Sequence, residues 1–224
     1  MKALFLGTGA ADWPQNKSKN DTFFRRNSSI LIDECLLIDP GPGVIDAIRE
    51  FSVDVTKIKY ILNTHRHSDH FDSECLSFLQ NNGAEFVDIC DAREFSLENY
   101  TVRSVVGNHS VPTVHYIISD GKSRMFYGMD SAWLLYDEVQ AIKDKTIDFA
   151  VFDSTIGFAD GDYRVFEHNN LNMIIEMKKT LSRHINRFCI SHMAMTLHTD
   201  HETLVANMKE FGIEVAFDGM TAEF

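Results

Sequence analysis

Residues 64–70 read Thr-His-Arg-His-Ser-Asp-His and concentrate three imidazoles and a carboxylate in one short stretch. His65 and His67 are two positions apart, so an extended backbone points both rings to the same side. Asp69 continues this alternation, and His70 follows where the chain starts to turn. Imidazole and carboxylate together suit zinc, with manganese or iron as alternatives. The stretch therefore predicts a metal site.

Four ligands cannot complete two metal sites, so further ligands are expected later in the chain. His109, Asp130 and His192 each follow an apolar run, where side chains line the rim of a sheet. Any one of these histidines alone is better explained as a polar loop residue. Their joint occurrence with the 64–70 cluster favours metal binding.

The elements that must position these residues can be predicted from apolar runs and turn signals. The cluster lies in a strand-to-helix loop, because an apolar run precedes it and Asp72 is typical of a helix N-cap. Strands are predicted at 2–6, 28–33, 35–39, 57–63, 85–89, 101–106, 114–119, 124–127, 147–153, 186–191 and 213–217. Helices are predicted at 44–51, 72–83, 132–143, 170–183 and 199–211.

This order of elements predicts an α/β protein in which sheets pack together and helices lie outside. The 224 residues contain no linker or repeat, and 44% of them are hydrophobic, which suffices for one continuous core. We therefore expect a single domain over 1–224, with the first three strands forming a meander. The polar stretch 11–27 is predicted to be a surface loop that could cover a site.

Charge and composition limit the partners and the location. A net charge of -12 opposes binding to a polyanion, so a nucleic-acid partner is not expected. No apolar stretch is long enough for a bilayer and the start lacks a secretory leader, which predicts a cytoplasmic protein without membrane contact. The cysteines are interpreted as small buried hydrophobes: Cys35, Cys75, Cys90 and Cys189.

The ligand pattern resembles that of the metallo-β-lactamase superfamily, whose fold is a four-layer αββα sandwich with a dinuclear metal site at one edge. Within it, the chain is most similar to the phosphoribosyl cyclic phosphate phosphodiesterases of carbon-phosphorus lyase pathways, which are related to ribonuclease Z. Flanking segments carry this similarity: Asn-His-Ser at 108–110, Asp-Ser-Ala-Trp-Leu at 130–134, His-Asn-Asn-Leu-Asn at 168–172, Ile-Ser-His-Met at 190–193 and Phe-Asp-Gly-Met at 217–220.

The resemblance implies how the ligands divide between two divalent metals. His65, His67 and His109 would bind one metal, Asp69, His70 and His192 would bind the other, and Asp130 would bridge them. The metals would supply a bridging hydroxide as the nucleophile.

The resemblance also assigns catalytic and supporting residues. His168 would protonate the leaving alkoxide, and Asp69 is counted as catalytic as well as metal-binding. Asp39 would orient a metal-binding histidine, although a turn role beside glycine explains it equally well. Asp153 and Ser154 are open between the same two roles. Four further histidines are expected at the surface or at helix ends: His115, His184, His198 and His201.

One departure from the phosphodiesterase family concerns a structural zinc. That family holds it with cysteines in the early loop and a late histidine, whereas here 11–27 contains no cysteine and the late position is Met195. No structural zinc is therefore expected, and the early loop should differ in shape.

The resulting hypothesis is a phosphodiesterase that cleaves a small linear or cyclic phosphodiester. A lactone or thioester hydrolase on the same metals, a ribonuclease Z-like activity and a non-catalytic metal carrier are the alternatives. The partners expected are a small phosphorylated substrate and a second copy of the chain in a homodimer.

Overall fold

The computed structural model describes residues 1–15 and 23–224. The predicted loop at 11–27 falls partly outside these described residues. The strands are β1 Lys2–Gly7, β2 Ser29–Ile32, β3 Leu36–Ile38, β4 Tyr60–Leu62, β5 Glu85–Phe86, β6 Arg93–Leu97, β7 Tyr100–Val106, β8 Val114–Ser119, β9 Arg124–Gly128, β10 Ile147–Asp153, β11 Ile185–Ser191, β12 Ile213–Val215 and β13 Thr221–Glu223. The helices are α1 Val44–Glu50, α2 Ser73–Asn81, α3 Tyr136–Asp144, α4 Leu171–Leu181 and α5 His201–Lys209, with short 3₁₀ turns at Val55–Lys57 and Tyr163–Phe166.

The strands form two mixed sheets. The first has the order β13-β1-β2-β3-β4-β5, and the second has the order β12-β11-β10-β9-β8-β7-β6. The predicted meander is confirmed, because β1, β2 and β3 pair antiparallel in sequence order. Strands β3 and β4 are parallel, as are β9, β10 and β11, so their carboxyl ends lie at common sheet edges.

Three hydrophobic clusters show how the layers stack. The central cluster joins side chains of both sheets, such as Phe5 of β1 and Phe149 of β10, whose rings meet edge to face. A second cluster packs α1 and α2 on the outer face of the first sheet. A third packs α3, α4 and α5 on the outer face of the second sheet. The predicted four-layer αββα sandwich is therefore confirmed.

Helix α2 begins where the sequence predicts, after the N-cap residue Asp72. The Asp72 side chain accepts a hydrogen bond from the Glu74 backbone N–H, which satisfies a free donor of the first turn. The N-cap of α4 works in the same way, with Asn170 accepting from the Met173 N–H at 2.9 Å. These caps place the loops that precede α2 and α4 at one edge of the sandwich.

Several expectations need correction. Strands β6 and β13 were not predicted, and α3 begins at Tyr136 rather than near 132. Cys90 is exposed and Cys35 is half-buried, so only Cys75 and Cys189 are the buried hydrophobes expected. Among the described residues, no helix combines the length and apolar character needed to cross a bilayer.

Candidate metal centre

All seven predicted metal ligands meet at one edge of the sandwich, each in a loop that follows a strand. The loop after β4 carries four of them, and the loops after β7, β9 and β11 add His109, Asp130 and His192. These strands end at the same edge, so residues more than 120 positions apart in the chain come within hydrogen-bond distance of each other. Whether they bind metal stays a prediction, but the expected set is brought together completely.

The side chains divide into the two groups that the resemblance implied. His65, His67, His109 and Asp130 form one group, and His67 Nδ1 lies 3.1 Å from His109 Nε2. His65 Nε2 lies 2.9 Å from Asp130 Oδ2, which places the carboxylate beside this group.

The second group contains Asp69, His70, Asp130 and His192. Here His70 Nε2 lies 3.0 Å from His192 Nε2, and His192 Nε2 lies 2.8 Å from Asp130 Oδ1. Asp69 Oδ2 lies 3.4 Å from the same His192 nitrogen. Asp130 therefore contacts both groups, one oxygen toward His65 and the other toward His192, as a bridging ligand requires.

The unsatisfied atoms fit metal binding better than internal hydrogen bonding. His65 Nε2 and Asp130 Oδ1 are buried and have no hydrogen-bond partner with acceptable geometry, although other polar atoms lie close. Buried polar atoms without partners are costly. Two nitrogens bound to one tetrahedral zinc lie about 3.3 Å apart, because each Zn–N bond is about 2.0 Å. The observed separations between the imidazole nitrogens are near this value.

The charges of the site also fit two divalent cations. Four carboxylates of this region are buried: Asp39, Asp69, Asp130 and Asp153. Burial of anions needs compensating positive charge. Without metal, the compensation falls on histidines. Burial lowers the pKa of His70, but Asp130, Asp69 and Asp39 outweigh it and raise that pKa to about 9.

In four of the histidines, one ring nitrogen lies within hydrogen-bond distance of an oxygen atom. The other ring nitrogen is thereby left for metal. His70 Nδ1 donates to Asp39 Oδ2 at 2.8 Å, and His109 Nδ1 donates to the Glu167 carbonyl at 3.1 Å. His65 Nδ1 lies 3.0 Å from Thr64 Oγ1, and His192 Nδ1 lies 2.7 Å from Thr155 Oγ1. Such hydrogen bonds fix the tautomer and the ring orientation of a ligand.

Asp39 therefore makes the contact with His70 that the implied orienting role requires. Its carboxylate also accepts from the Thr64 N–H at 2.7 Å and from Asn63 Nδ2 at 3.0 Å. Asp39, Asp130 and His192 all have backbone φ between 51° and 63°, in the left-handed region that residues other than glycine rarely adopt. Such strain commonly concentrates at functional sites.

His168 lies beside the metal ligands and is held by a second buried aspartate. Its Nδ1 is 2.8 Å from Asp153 Oδ2, while Asp153 Oδ1 accepts from the Thr155 N–H and hydroxyl at 2.6 Å each. Burial lowers the pKa of His168, but the Asp153 carboxylate outweighs this and raises the pKa overall. Asp153 is thus an orienting residue. Ser154 instead bonds backbone, its Oγ donating to the Ser191 carbonyl.

A cleft of about 190 Å³ opens onto the two groups. His168, Arg164, Ala10, Ala11 and Asp12 are among the residues that line it. The described start of the early loop, Ala11 and Asp12, therefore borders the site, and coverage of the site by this loop stays a prediction. Residues 16–22 of that loop lie outside the described part of the chain.

Sequence reasoning missed the supporting residues Thr64, Thr155 and Glu167. Thr64 was interpreted as a spacer in the cluster. Glu167 contributes its backbone carbonyl, a group that every residue has and that the sequence therefore cannot single out. Thr64 directly precedes the ligand His65 and Glu167 directly precedes His168, which could have flagged both, whereas Thr155 adjoins neither a ligand nor His168 in the chain.

His115 is a further correction, since it is buried rather than at the surface. Its Nδ1 lies 2.6 Å from Glu138 Oε1 and its Nε2 lies 3.1 Å from the Met129 carbonyl. Both neighbours are acceptors, so the ring donates from both nitrogens and is an imidazolium. A Cβ at Gly107 would lie 2.7 Å from His115 Nε2. The ring thus supports the segments that lead to His109 and Asp130.

The other histidines outside the ligand set also lack a place in the two groups. His198 Nε2 contacts the Ser154 carbonyl at 2.7 Å, and His201 directly follows the N-cap Asp200 of α5. The capping-region expectation for His201 is therefore confirmed.

Comparison with known proteins agrees with this architecture. A family model described as the metallo-beta-lactamase superfamily matches residues 22–71, which include the loop of His65 to His70. The metallo-beta-lactamase fold protein YhfI from Bacillus subtilis superposes with a TM-score of 0.79, covering 100% of this chain and 99% of its own, at 16% identity. The chain has the metallo-β-lactamase fold.

Other proteins with the metallo-β-lactamase fold superpose over similar lengths. A diphosphatase from the PhnP family gives a TM-score of 0.75 at 16% identity, covering 100% of this chain and 97% of that one. The short form of human tRNase Z gives 0.73 at 17% identity, with 100% and 99% covered. No curated protein sequence matches the chain.

Proposed function

We propose that this protein is a dinuclear metal-dependent hydrolase that cleaves a small linear or cyclic phosphodiester. The observation that carries the proposal is His168, which lies in the cleft beside both ligand groups with its Nδ1 bound to buried Asp153. When bound, two divalent metals supply Lewis acidity that activates water and polarises a phosphoryl oxygen. Zinc suits this ligand set best, with manganese or iron as alternatives.

The chain's own residues then handle the protons. His168 Nδ1 donates to Asp153, whose carboxylate raises the pKa of His168, so the charged ring would carry its second proton at Nε2. That Nε2–H can protonate the alkoxide that leaves when the P–O bond breaks. Asp69 lines the same cleft and is placed to accept a proton from the attacking water.

Three further features support a phosphodiester. The cleft is lined by the His168 imidazole and the Arg164 guanidinium and borders both ligand groups, and with divalent metals bound it would favour an anionic substrate. Two proteins of the same fold, the diphosphatase and tRNase Z, are named for reactions at phosphate. The cleft is small, so a small substrate fits it better than a polymer does.

Substrate class is tested by a direct comparison on one preparation. The metal-loaded protein is assayed with bis(p-nitrophenyl) phosphate and a cyclic phosphodiester, and in parallel with a lactone and a thioester. We expect hydrolysis of the phosphodiesters with kcat/KM at least tenfold above the carbonyl substrates. The opposite order would establish a lactone or thioester hydrolase and contradict the proposal. Turnover of precursor tRNA alone would favour the ribonuclease Z alternative.

A further inference from the structure

A second cavity lies at the edge of the sandwich opposite the metal centre. It has a volume of about 330 Å³ and is lined by residues of β6, β7, β8 and β9 and by the end of α3. Strands β7 and β9 both pair antiparallel with β8, so they run in the same direction. The cavity lies where these two strands begin, whereas His109 and Asp130 follow their ends. Arg124 and Gly128, the ends of β9, are about 13 Å apart at the usual rise of a strand.

The alternation of the strands accounts for which side chains line this cavity. Val102, Ile118 and Met125 point into the central core. Because successive side chains of a strand point to opposite faces, their neighbours lie on the outer face of the second sheet. The neighbours that line the cavity are Thr101, Arg103, Ile117, Ser119 and Arg124. Helix α3 packs on this outer face and ends at Asp144, and the cavity lies where that cover stops.

The charged side chains of the cavity are mostly basic. Four basic residues line it against two acidic ones: Arg103, Lys122, Arg124 and Lys145 against Glu94 and Asp144. The lining therefore carries a net charge of +2, whereas the whole chain carries -12. A local excess of positive charge in a concave site attracts anions.

The two arginines of the cavity make no close ion pair among the described residues. Arg124 is half-buried, and its Nη1 is buried without a hydrogen-bond partner in the described part of the chain. Burial lowers the pKa of Arg124, and Asp144 offsets only part of this effect. Arg103 Nη1 lies 3.9 Å from Asp144 Oδ2, which is beyond hydrogen-bond distance. A buried cationic donor without a partner is costly, and an anion in the cavity would supply the missing counter-charge.

The turn between β8 and β9 contributes Gly121 and Lys122 to the lining. Asp120 holds this turn, because its Oδ1 accepts from the Lys122 N–H at 2.9 Å and from the Ser123 N–H at 2.7 Å. Gly121 has a backbone φ of 87°, and a Cβ there would meet no atom within 4 Å. The backbone beside the cavity is therefore ordered by local hydrogen bonds and has open space in front of it.

We infer that this cavity is a second ligand site of the protein and that it binds a small phosphate-bearing anion. Phosphate offers several charged acceptor oxygens, which match the donor geometry of arginine. Ile117 is the one large apolar residue of the described lining, so polar contacts hold the ligand. A cavity of this volume is at the small end of the range for ligand sites. The ligand does not enter the metal-site cleft, and the inference does not depend on the proposed function.

The test is an NMR titration of isotope-labelled, zinc-loaded protein with inorganic phosphate. The reporters are the backbone amides of Gly121 and Lys122, which line the cavity. Their signals should shift saturably, with a Kd of about 1 mM or lower at low ionic strength. Phosphate that binds the metals shifts amides of the ligand loops instead, so the two sites are read separately. Sodium chloride at matched ionic strength should not reproduce the shifts.

Variants of the lining test which residues hold the phosphate. Arg124→Gln should weaken binding about tenfold or more, because it removes a charge-assisted hydrogen bond. Arg103→Gln, on the neighbouring part of the sheet, provides an independent variant and should weaken binding about threefold to tenfold. Glu94→Gln removes an opposing charge and should strengthen binding about twofold to fivefold. Arg183→Gln, at an exposed position outside the cavity, is the matched control and should bind as the wild type does.

Three results would overturn the inference. The first is the absence of a saturable shift at Gly121 and Lys122 up to about 20 mM phosphate. The second is an equal shift with sodium chloride, which would show general screening of charge instead of a site. The third is wild-type affinity in both Arg124→Gln and Arg103→Gln.

Discussion

Asp39 is a buried residue that orients the predicted metal ligand His70 and is not itself among the predicted ligands. It accepts from His70 Nδ1 and from Thr64, so it holds both the ring and the start of the loop. Asp39→Asn should lower metal affinity at the Asp69–His70–His192 group by about 10–100-fold. The reason is that an amide does not provide the charged acceptor that the Nδ1–H of His70 needs. Metal titration followed by calorimetry checks this. Unchanged affinity at that group would contradict the orienting role.

Substitution of His168 should affect catalysis without affecting metal binding. His168→Ala should lower kcat by about 10²–10⁴-fold, since it removes the general acid. Metal content should stay at the wild-type level, because His168 is not among the seven predicted ligands. His184→Ala is the control and should retain turnover. His184 precedes the start of β11, whereas the ligand His192 follows the end of that strand. Loss of metal together with activity in His168→Ala would show that His168 is a ligand.

At the residue scale, the ligands were predictable and their supports were not. The sequence reveals the cluster of His65, His67, Asp69 and His70, because metal binding restricts residue type and spacing. Thr155 and the Glu167 carbonyl do not, since any hydroxyl or backbone oxygen can accept from an imidazole N–H. His115 was wrongly expected at the surface because its partner, Glu138, is remote in sequence and becomes its neighbour only through packing of α3 on β8.

The buried pair of His115 and Glu138 joins helix α3 to strand β8, and its strength should depend on pH. Burial lowers the pKa of His115, but Glu138 outweighs this and raises it overall. A raised folded-state pKa means that the stabilisation is complete below about pH 6.5, the unfolded value, and is lost as pH rises through the folded value. The pair should therefore stabilise the fold more at pH 6 than at pH 9.

Glu138→Gln tests this pair. It should reduce the free energy of unfolding by roughly 3 kcal/mol at pH 6, because it leaves a buried imidazolium without its counter-charge. The difference from wild type should shrink at pH 9, as measured by urea unfolding with chelator present. Asp137→Asn, an exposed neighbour on α3, should have little effect at either pH. A Glu138→Gln difference that stays constant from pH 6 to pH 9 would contradict the assignment.

At the element scale, long apolar strands were predicted well and edge strands were not. Strands β10 and β11 contain the apolar runs 149–152 and 188–190, which are buried in the sheet interior. Strand β6 is mostly exposed, with Leu97 as its one buried residue, and β13 has three residues. Both lie at sheet edges, where the partner strand defines them more than their own composition does.

The whole molecule should depend on metal for part of its stability. Four buried carboxylates meet at one edge, and divalent cations would balance their charge. Metal at about 1,000 times its dissociation constant adds about 4 kcal/mol, which for a chain of this size shifts Tm by about 10 °C. Thermal unfolding before and after removal of metal by a chelator measures this. An unchanged Tm after proven metal removal would argue against two buried sites.

The layered architecture could be predicted from the order of elements, whereas the joining of the two halves of the site could not be derived from it alone. The loop after β4 belongs to the first sheet, while His109, Asp130 and His192 follow strands of the second. Their convergence depends on how the two sheets face each other, which is a property of the central core. The resemblance to a known ligand pattern supplied that step.

Two metals bound by these seven residues are proposed to make the protein a phosphodiesterase. The most direct measurement is hydrolysis of bis(p-nitrophenyl) phosphate by chelator-treated protein as zinc or manganese is added stepwise, with bound metal counted at each step. We predict that activity is absent at first and reaches its plateau at about two bound ions per chain. Fewer than about one bound ion per chain, or two bound ions without hydrolysis, would contradict the account.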